Sequence, residues 1–496
     1  MFALLLVALE LSAIRAYGYF RDELYYIECA RHLAWGYVDQ PPLSIATLVL
    51  TMRVLGDSLV AIRLLPALLG AATVALTGVI ARDLGGGRTA QAFAMLAVIV
   101  APITLALDHY YSMNSFEQLL WPLAAWLSLR ALERGRSRDW ALLGGALGLG
   151  LLNKISMLWF GFGLAVGLLS TRERRSLATP GPWLALAIAA AMFAPHVAWQ
   201  ARSGWPMLEF MRNATANKMV AVGVPGFIGN QILLMNPFSA PLWLAGWVWL
   251  CRSSRAGSDR VQAILFLTVA ALIVVAGRSR ASYLAPAYPM LLAAGAVALE
   301  RATAPGGRRV LRVPYALLLV ALGAVLLPLA LPVLSEARLI GYMDRIGIHP
   351  RGEERHAYGA LPQQYADMHG WEAMADSVAS VVSRLNPDQR RHALVYAQNY
   401  GEASAINFFG RRLGLPRAIS GHNNYWLWGP GPADTRVVII FGGRRADHLA
   451  SFESVDSVSV FHAPYVMPYE DGQTLFIARR PRLPLAELWP RVRSYN

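Results

Sequence analysis

The sequence has few charged residues and almost no cysteine. Of its 496 residues, charged types make up 15% and hydrophobic types 55%, whereas a soluble globular protein carries about a quarter charged residues. The two cysteines, Cys29 and Cys251, are too few and too far apart for a disulfide framework. These shortages exclude a soluble enzyme, a disordered chain and a disulfide-stapled module. They indicate a polytopic membrane protein with a soluble tail.

Lysine is also scarce, and the positive charge is unevenly placed. Lys154 and Lys218 are the only lysines among 45 basic residues. Residues 1–335 hold 27 basic and 15 acidic side chains, a balance of +12, and residues 336–496 hold 18 and 16, a balance of +2. The arginines form short clusters between apolar runs. This placement predicts membrane topology rather than a nucleic-acid partner.

Eleven apolar runs have roughly the length that a helix needs to cross a bilayer. They lie at about 2–19, 59–81, 90–107, 116–131, 139–152, 155–171, 183–200, 238–251, 261–277, 283–299 and 313–334. A cleaved signal peptide is the alternative for the first run, but that run has no basic start and is interrupted by Glu10. We therefore predict eleven spans.

The arginine clusters between these runs predict the orientation of the chain. If the N-terminus is cytoplasmic, every clear cluster falls on the cytoplasmic side, as the positive-inside rule requires. The clusters are Arg82 and Arg88; Arg130, Arg134, Arg136 and Arg138; Arg172, Arg174 and Arg175; Arg252, Arg255 and Arg260; and Arg301, Arg308, Arg309 and Arg312. The odd number of spans then places the tail and Cys29 outside and Cys251 inside.

The predicted fold is a mainly α-helical multi-spanning domain over residues 1–335, with long outer loops at 20–58 and 201–237. The stretch 24–36 reads as an interfacial amphipathic helix anchored by Tyr25, Tyr26 and Trp35. We expect residues 336–496 to form an extracytoplasmic α/β domain, Rossmann-like or with a mixed sheet. Its helical patterns lie at 371–385 and 402–412, and its strand candidates at 393–396, 436–441, 455–461 and 474–478. No GxGxxG motif follows a strand, so no nucleotide site is expected.

Acidic residues in the first outer loop are candidates for chemistry. Asp22 and Glu23 directly follow the first span, where a carboxylate can act as a general base on an acceptor hydroxyl. The alternative is that the pair only marks the water interface. Asp39 and Gln40 precede two prolines that fix the backbone direction. We expect them either to contact a donor phosphate or a metal, or to form an ordinary turn.

A second acidic group lies between the third and fourth predicted spans. It consists of Asp108, His109, Asn114 and Glu117. Glu117 lies about one helical turn inside an apolar segment, and an ionisable group there is a functional hypothesis by default. Asp, His and Glu side chains can bind a divalent cation, but no tight ligand spacing such as HxxxH occurs. A metal ion at Asp39 or His109 stays open, and the pattern requires no cofactor.

Basic residues on the predicted outer side run against the positive-inside bias. Lys154 follows the fifth span and either snorkels to the interface or holds a lipid-linked phosphate. Arg278 and Arg280, close to Tyr283, offer bidentate phosphate contacts.

In the tail, the loop 420–431 is dense in amides and aromatic rings. Such a loop either contacts sugar rings or packs onto the membrane domain. Its candidate residues are His422, Asn423, Asn424, Tyr425 and Trp426.

Together these motifs resemble the GT-C glycosyltransferases, nearest to the protein O-mannosyltransferase and lipid A aminoarabinose transferase superfamily. The likeness covers roughly residues 1–300. It rests on the acidic pair after the first span, DQPP at 39–42, NK at 153–154, PHVAWQ at 195–200, and the basic residue followed by YLxP at 280–286. Members of this family pass a sugar from a polyprenyl-phosphate donor to an acceptor outside the cytoplasm.

The resemblance implies an inverting glycosyltransferase that acts on a lipid, glycan or protein acceptor. The excess of arginine over lysine is compatible with a GC-rich bacterial genome, so we expect a bacterial plasma membrane. Asp22 would be the catalytic carboxylate, Asp39 would match an acidic position near a metal, and Lys154 would lie near the donor. The chain departs from the lipid A enzymes at Gln40, where they have lysine, and at Asn114, where they have a second aspartate.

Two other classes of protein remain as alternatives. One is a transporter or flippase of lipid-linked sugars, and the other is a non-catalytic assembly factor. Transporters often show internal repeats and helices broken at the midplane, whereas this sequence has no visible repeat and its polar groups cluster at the outer face. The predicted partners are therefore a polyprenyl-phosphate sugar donor, membrane lipids and an extracytoplasmic acceptor.

Overall fold

The computed structural model describes residues 1–253, 257–304, 307–350 and 354–496. Arg255, one of the predicted cytoplasmic arginines, lies outside these ranges. The described chain up to residue 335 is mostly helical. Its α-helices are α1 (Phe2–Ala13), α2 (Arg21–Arg31), α3 (Leu43–Leu55), α4 (Leu59–Asp83), α5 (Arg88–Ile99), α6 (Pro102–Asp108), α7 (Met113–Arg134), α8 (Ser137–Asn153), α9 (Met157–Leu169), α10 (Pro180–Arg202), α11 (Pro206–Asn213), α12 (Val224–Leu234), α13 (Ala240–Arg252), α14 (Gly257–Ala276), α15 (Tyr288–Ala302) and α16 (Arg312–Ala330).

Ordinary sequence signals set the ends of several of these helices. The Ser58 hydroxyl accepts a hydrogen bond from the Ala61 amide at 3.3 Å and caps the start of α4. α10 begins with Pro180, whose missing N–H costs nothing at that position. α7 ends where Gly135 adopts a φ of 64°, a conformation that a glycine reaches without strain.

The predicted count of eleven spans is not confirmed. Within the described ranges, five helical segments are long and apolar enough to cross a membrane, or seven if two bent pairs each count as one span. The five are α4, α10, α14, Ala281–Ala302 and Arg308–Ala330; the bent pairs are α5 with α6 and Pro237–Arg252 with α12. The other predicted runs also contain helices, but α1 and α9 are short, and α7 carries Asn114 and Glu117 in its first turns.

One side chain joins the bends of the two bent pairs. The helices meet at 63° between α5 and α6 and at 96° between α12 and the next helix. At the second bend, Asn236 has a φ of 68°, and its Nδ2 donates to the carbonyl oxygens of Val100 (3.2 Å) and Leu319 (3.1 Å). Val100 lies at the first bend. Because a bilayer core supplies no water, carbonyl groups freed by a bend need a donor from the protein.

Helices α13 and α15 approach closely through two glycines. A Cβ on Gly246 would lie 1.9 Å from the Leu291 carbonyl oxygen, and one on Gly295 would lie 1.9 Å from the Leu242 carbonyl oxygen. Small residues allow this backbone contact, which is how helices commonly associate inside membranes. Any larger residue at either glycine would force the pair apart.

The tail contains a small mixed sheet, which is the second of the two predicted alternatives. Its helices are α17 (Glu336–Ile346), α18 (Gln363–Ala366), α19 (Trp371–Val382), α20 (Pro387–Arg391), α21 (Tyr400–Phe409), α22 (Asn424–Leu427), α23 (Arg445–Leu449) and α24 (Leu485–Leu488). Its strands are β1 (Ala393–Ala397), β2 (Ala418–Ile419), β3 (Val437–Phe441), β4 (Phe452–Phe461) and β5 (Gln473–Pro481). The strand order is β2-β1-β3-β5-β4.

The sheet combines parallel and antiparallel pairing. β1 pairs in parallel with β2 and β3, whereas β5 pairs antiparallel with β3 and β4. Every residue of β3 is buried, as an unbroken apolar run predicts for a central strand covered on both faces. The predicted strands and the two predicted helices of the tail are therefore confirmed within a residue or a few at their ends.

The tail packs against the first outer loop, since α21 contacts α2. The prediction that Tyr25 and Tyr26 anchor an interfacial helix is wrong. Both side chains are buried, because Tyr25 stacks on Tyr400 of the tail at 4.4 Å and Tyr26 packs against Tyr111 of the membrane domain. Trp35 is exposed. α2 is thus a layer between the two parts of the molecule.

The predicted orientation can be tested with the small number of native cysteines. Cys29 is buried and should not react, so replacing Cys251 by serine gives a background without accessible thiols. In that background, Val460→Cys, on the exposed surface of the tail, should react with a membrane-impermeant maleimide in intact spheroplasts.

Arg136→Cys, in a predicted cytoplasmic loop, is the matched control and should react only after lysis. Labelling in the reverse order would contradict the positive-inside assignment.

Candidate active site

The first turn of α2 holds two carboxylates that point in opposite directions. Glu23 Oε2 accepts a hydrogen bond from the Phe20 amide at 2.8 Å and closes the start of the helix. The Glu23 side chain is fully buried among the membrane helices. The Asp22 side chain is 33% exposed and faces the tail, where the Tyr400 hydroxyl donates to Asp22 Oδ1 at 2.9 Å. Asp22 is therefore the member of the pair that a substrate can reach.

The tail places Tyr400 through a short local motif. β1 ends at Ala397, and Asn399 and Glu402 then cap α21 reciprocally. The Glu402 amide donates to Asn399 Oδ1 at 3.0 Å, and the Asn399 amide donates to Glu402 Oε2 at 3.2 Å. Burial raises the pKa of the Tyr400 phenol well above its usual value. The phenol therefore stays protonated and donates to Asp22.

Arg21 ties Asp22 to the tail from the other side. Its guanidinium donates to the Tyr469 hydroxyl at 2.7 Å. It lies 3.6 Å from a carboxylate oxygen of Asp367 and 3.7 Å from Asp22 Oδ1. The Arg21 amide also donates to the Asp367 carbonyl oxygen at 2.9 Å. Asp22 is thus held between an arginine and a phenol.

Two further cations lie beside this group. Arg280 Nη2 and Lys218 Nζ both contact Glu354 Oε1, Lys218 at 3.6 Å. Burial lowers the pKa of the Lys218 ammonium, and the Glu354 charge opposes that shift. The charge of Arg21 also lowers this pKa, and the charge of Asp22 raises it. We call Arg21, Asp22, Lys218, Arg280, Glu354 and Asp367 the outer-face cluster, after the predicted orientation of the chain.

Asp39 contacts the tail through Asn424. The Tyr25 hydroxyl donates to Asp39 Oδ1 at 3.2 Å, and Asn424 Nδ2 donates to the same oxygen at 3.3 Å. Burial, and then the charge of Asp22, raise the pKa of the Asp39 carboxyl to about 7. Because Asp22 raises this pKa, the two predicted acids of the first outer loop interact electrostatically.

Gln40 lies in the interior beside Asp39. Its side chain is 1% exposed, and neither its amide oxygen nor its amide nitrogen has a hydrogen-bond partner among the described residues. A buried amide without partners is costly unless water or a ligand satisfies it. This observation keeps Gln40 among the candidates for binding a substrate.

Lys154 belongs to a second cluster that includes part of the predicted acidic group. Its ammonium lies 2.6 Å from Glu117 Oε2 and 2.9 Å from Asn114 Oδ1. It also lies 4.6 Å from the centre of the Tyr283 ring. The Ser156 hydroxyl donates to the other Glu117 oxygen. We call Lys154, Asn114, Glu117, Ser156 and Tyr283 the Lys154 cluster.

The segment after α14 connects this cluster to the outer-face cluster. Arg280 lies three residues before Tyr283, and the Tyr283 amide donates to the Arg280 carbonyl oxygen at 3.1 Å. Arg278 points elsewhere and donates to the carbonyl oxygens of Thr215 and Ala216 at 3.4 and 3.5 Å. Of the predicted phosphate-binding cations, Arg280 is the one that contacts Glu354 together with Lys218.

The predicted second acidic group is divided in the structure. His109 Nδ1 lies 3.2 Å from Glu10 Oε2, and His109 Nε2 lies 3.4 Å from Arg63 Nη1. Arg63 in turn binds both carboxylate oxygens of Glu23 at 2.9 and 2.8 Å. Glu10, His109, Arg63 and Glu23 thus form a buried polar chain, separate from Asn114 and Glu117.

Asp108 also lies apart from Asn114 and Glu117. It is completely buried, and its carboxylate has no hydrogen-bond partner among the described residues. The Asp108 carboxylate fits beside Gly70 because glycine has no side chain. A Cβ at position 70 would lie 2.3 Å from Asp108 Oδ2. This glycine leaves the space that the carboxylate fills.

The residues considered for a metal ion do not converge. Asp39 contacts Tyr25 and Asn424, whereas His109 contacts Glu10 and Arg63. In the part of the chain that the structure describes, no three His, Cys, Asp or Glu side chains are grouped as a metal site would need. We therefore derive no chemical step from a metal.

The amide- and aromatic-rich loop of the tail makes packing contacts, and its contact with sugar rings stays a prediction. Asn424 Oδ1 accepts from the Val38 amide at 3.0 Å. The Tyr425 hydroxyl is engaged inside the tail by Ser404 and Asn407, and Trp426 Nε1 donates to the Trp489 carbonyl oxygen. His422 and Asn423 contact the last residues of the chain, with His422 Nε2 3.0 Å from the Asn496 carbonyl oxygen and Asn423 Oδ1 accepting from the Asn496 amide. The loop attaches the tail to Asp39.

Sequence reasoning missed several residues of the site. Arg63 had a usable signal, because an arginine inside an apolar run is expected to be paired or functional. Tyr400, Arg21 and Glu354 had none, since their roles depend on contacts between segments that are far apart in the chain.

Comparisons with known proteins give a consistent picture. Residues 39–199, about a third of the chain, match the family model described as dolichyl-phosphate-mannose-protein mannosyltransferase. A search of curated protein sequences finds no match.

The whole fold matches several solved structures. ArnT from Cupriavidus metallidurans in the apo state is 15% identical, with a TM-score of 0.61 over 96% of both chains. The same protein bound to undecaprenyl phosphate is 16% identical, with a TM-score of 0.58 and the same coverage. The Archaeoglobus fulgidus oligosaccharyltransferase AglB, in complex with an inhibitory peptide and a dolichol-phosphate, is 13% identical, with a TM-score of 0.51 over 88% of this chain and 69% of that one.

At these identities the structural matches establish the fold. Together with the family match, they confirm the predicted resemblance to the GT-C glycosyltransferases. The apolar helices and the shared fold also support a multi-pass membrane protein.

The raised pKa of Asp39 predicts a pH-dependent effect of Asp39→Asn on stability. An aspartate in an unfolded chain has a pKa of about 3.9, so the native state holds the proton more tightly. The Asp39 contribution to the free energy of unfolding therefore falls as pH rises from about 4 to about 7 and stays low above that. The asparagine variant lacks this contribution.

We expect the melting temperature of Asp39→Asn, measured in detergent relative to wild type, to be higher at pH 8 than at pH 5. The same substitution at Asp57, on the exposed part of the same outer loop, is the matched control. An equal difference at both pH values would show that Asp39 does not titrate in this range.

Proposed function

We propose that this chain is an inverting glycosyltransferase that moves a sugar from a polyprenyl-phosphate donor to an acceptor outside the cytoplasm. The observation that carries the proposal is the environment of Asp22. Its carboxylate is partly exposed, is oriented by Arg21 and Tyr400, and lies beside the cations of the outer-face cluster. A base next to a cationic group is what transfer from a phosphate leaving group needs.

Each group has a defined task in this reaction. Asp22 accepts the proton of the acceptor hydroxyl as that oxygen forms a bond to the anomeric carbon. The bond between the anomeric carbon and the phosphate oxygen breaks, and the electron pair leaves with the polyprenyl phosphate. Arg280 and the neighbouring cations stabilise the charge that develops on this phosphate. Attack opposite to the leaving group inverts the configuration of the sugar.

The fold supports the same class of donor. ArnT has been solved with undecaprenyl phosphate and AglB with a dolichol-phosphate. Both ligands are polyprenyl-type phosphates, and this chain shares the fold of both proteins. Two predicted phosphate ligands lie close to Tyr283: Lys154 Nζ is 4.6 Å from the centre of its ring, and Arg280 is three residues before it in the chain.

The transporter alternative is favoured by the two bent helix pairs, since transporters commonly bind substrates at broken helices. In this chain, however, Asn236 uses the carbonyl group of Val100 at the first bend. The bends are therefore closed by a protein side chain.

Asp22→Asn should reduce glycosyl transfer by about 10²- to 10⁴-fold, because it keeps the shape of the side chain and removes the base. The assay uses purified protein in nanodiscs, radiolabelled polyprenyl-phosphate sugars and an envelope extract as acceptor. Asp57→Asn, in the same outer loop, is the matched control and should retain transfer. Full activity in the Asp22 variant would remove the proposed base.

Donor that is bound by both proteins and consumed by neither would favour the transporter.

Removing the charges of Lys154, Arg278 and Arg280 should weaken the binding of undecaprenyl phosphate at least tenfold, since a hydrogen bond to a charged group contributes about 1.5–3 kcal/mol. All three residues are changed to glutamine, with Glu117→Gln added so that no unpaired carboxylate remains beside position 154. The measurement is the dissociation constant in nanodiscs.

Glu117→Gln alone and the triple glutamine variant of Arg172, Arg174 and Arg175, in a predicted cytoplasmic loop, are the controls. An unchanged dissociation constant in the outer variant would refute this assignment.

A further inference from the structure

Glu354 is a carboxylate of the tail that cations of the membrane domain surround. Its side chain is completely buried. Arg280 Nη2 and Lys218 Nζ contact one of its oxygens, the latter at 3.6 Å. His356 Nε2 lies 2.8 Å from the other oxygen, and Gln363 Nε2 donates to it at 3.3 Å. One oxygen of the carboxylate is therefore contacted by the membrane domain and the other by the tail.

A short backbone pairing delivers Glu354 to this position. Glu354 and Met219 form an isolated antiparallel bridge, and the Arg355 amide donates to the Lys218 carbonyl oxygen at 2.9 Å. Lys218 comes from the outer loop between α11 and α12, whereas Arg280 comes from the segment after α14. Three separate parts of the chain thus meet at the Glu354 carboxylate. The backbone pairing that holds Glu354 beside Lys218 is short, with one bridge and one further hydrogen bond.

The exposure of these groups shows which of them a ligand can reach. The side chains of Lys218 and Arg280 are 22% and 35% exposed, whereas Glu354 is not exposed at all. The cations remain accessible while the carboxylate that neutralises them is hidden beneath them. A phosphate can replace this carboxylate, because both present paired oxygens to a guanidinium and an ammonium.

Glu354 keeps its charge in this environment. Burial alone would raise the pKa of its carboxyl, but the hydrogen bond from His356 and the charges of Arg280 and Lys218 hold the pKa well below its usual value. An exchange of anions therefore leaves the two cations compensated before and after binding. A vacant cation pair, which would be costly beside a membrane, does not arise.

We propose that Lys218 and Arg280 form the binding site for the phosphate of the lipid-linked donor, and that Glu354 occupies this site as an internal anion that the phosphate displaces. The inference rests on the proposed function, and it adds Lys218 as a ligand and Glu354 as a competitor. After transfer, the return of Glu354 helps to release the polyprenyl phosphate. Glu354 thus sets a limit to the affinity for donor and product alike.

A purely structural ion pair predicts the opposite result from an internal competitor. If Glu354 only fastens the tail to the membrane domain, its loss loosens the site and weakens phosphate binding. If Glu354 competes with the phosphate, its neutralisation strengthens binding. The direction of the change therefore separates the two.

The experiment measures the dissociation constant of undecaprenyl phosphate for the full-length protein in nanodiscs. Glu354→Gln should bind about 5- to 150-fold more tightly than wild type, the range typical of a coupling free energy between two binding events. Glu336→Gln, which removes another tail carboxylate paired with a histidine, His369 at 3.0 Å, is the matched control and should bind as wild type does. Lys218→Gln should weaken binding with either residue at position 354.

A second variant covers the case in which Glu354→Gln does not fold. His356→Phe retains a ring beside Tyr469, which lies 5.2 Å away, and removes the hydrogen bond to Glu354. It should strengthen binding by a smaller factor. If folded Glu354→Gln or His356→Phe binds undecaprenyl phosphate as wild type does, or more weakly, the inference is overturned and the proposed function is not.

Lys218→Gln binding as tightly as wild type removes Lys218 from the site. No binding by wild type or any variant overturns both the inference and the proposed function.

Discussion

The buried ion pair between Arg63 and Glu23 is the constraint on which the geometry of the site depends. Both side chains are completely buried, and Arg63 binds both oxygens of Glu23. Its remaining donors reach the carbonyl oxygens of Gly18 (2.6 Å) and Ile14 (3.2 Å), in the turn between α1 and α2. One arginine of α4 thereby fixes the start of α2. Removing either partner would leave an uncompensated buried charge, which costs about 3–5 kcal/mol.

This constraint decides the different roles of two neighbouring acids. Since Glu23 is turned inward to Arg63 and closes the helix start at Phe20, Asp22 must project toward the tail. There Tyr400 and Arg21 hold it. The Tyr111 amide adds a third contact to Glu23 at 2.9 Å, so the inward orientation is over-determined. The orientation of Asp22 is fixed because the contacts of Glu23 fix the first turn of α2.

The tail is the second source of order at the site. It contacts Asp22 through Tyr400 and Asp39 through Asn424, and it supplies Glu354 to Lys218 and Arg280. The site is therefore an interface between the membrane domain and the tail rather than a pocket of either one. A donor in the membrane and an acceptor in solution would meet at such an interface, which is consistent with the proposed chemistry.

The sequence by itself determined the local features of this protein. Long apolar runs predicted the membrane helices, and short strand candidates between helical patterns predicted the sheet of the tail, because burial of apolar side chains acts within one helix or strand. The acidic pair after the first run, Asp39 before two prolines and Lys154 after the fifth run were visible as polar residues where few are expected. The number of complete spans was not determined, since bends such as the one at Asn236 depend on which carbonyl groups find a donor in another helix.

Only the tertiary structure decided which of these residues act together. It divided Asp108 and His109 from Asn114 and Glu117, and it joined Asp22 to Tyr400, 378 residues away in the chain. Such pairings leave no local pattern, because a charge at the edge of a membrane is stabilised by whichever partner the folded chain brings within hydrogen-bond distance. That partner is fixed by the ion pair between α2 and α4 and by the packing of α2 against α21, which no single segment of the sequence specifies.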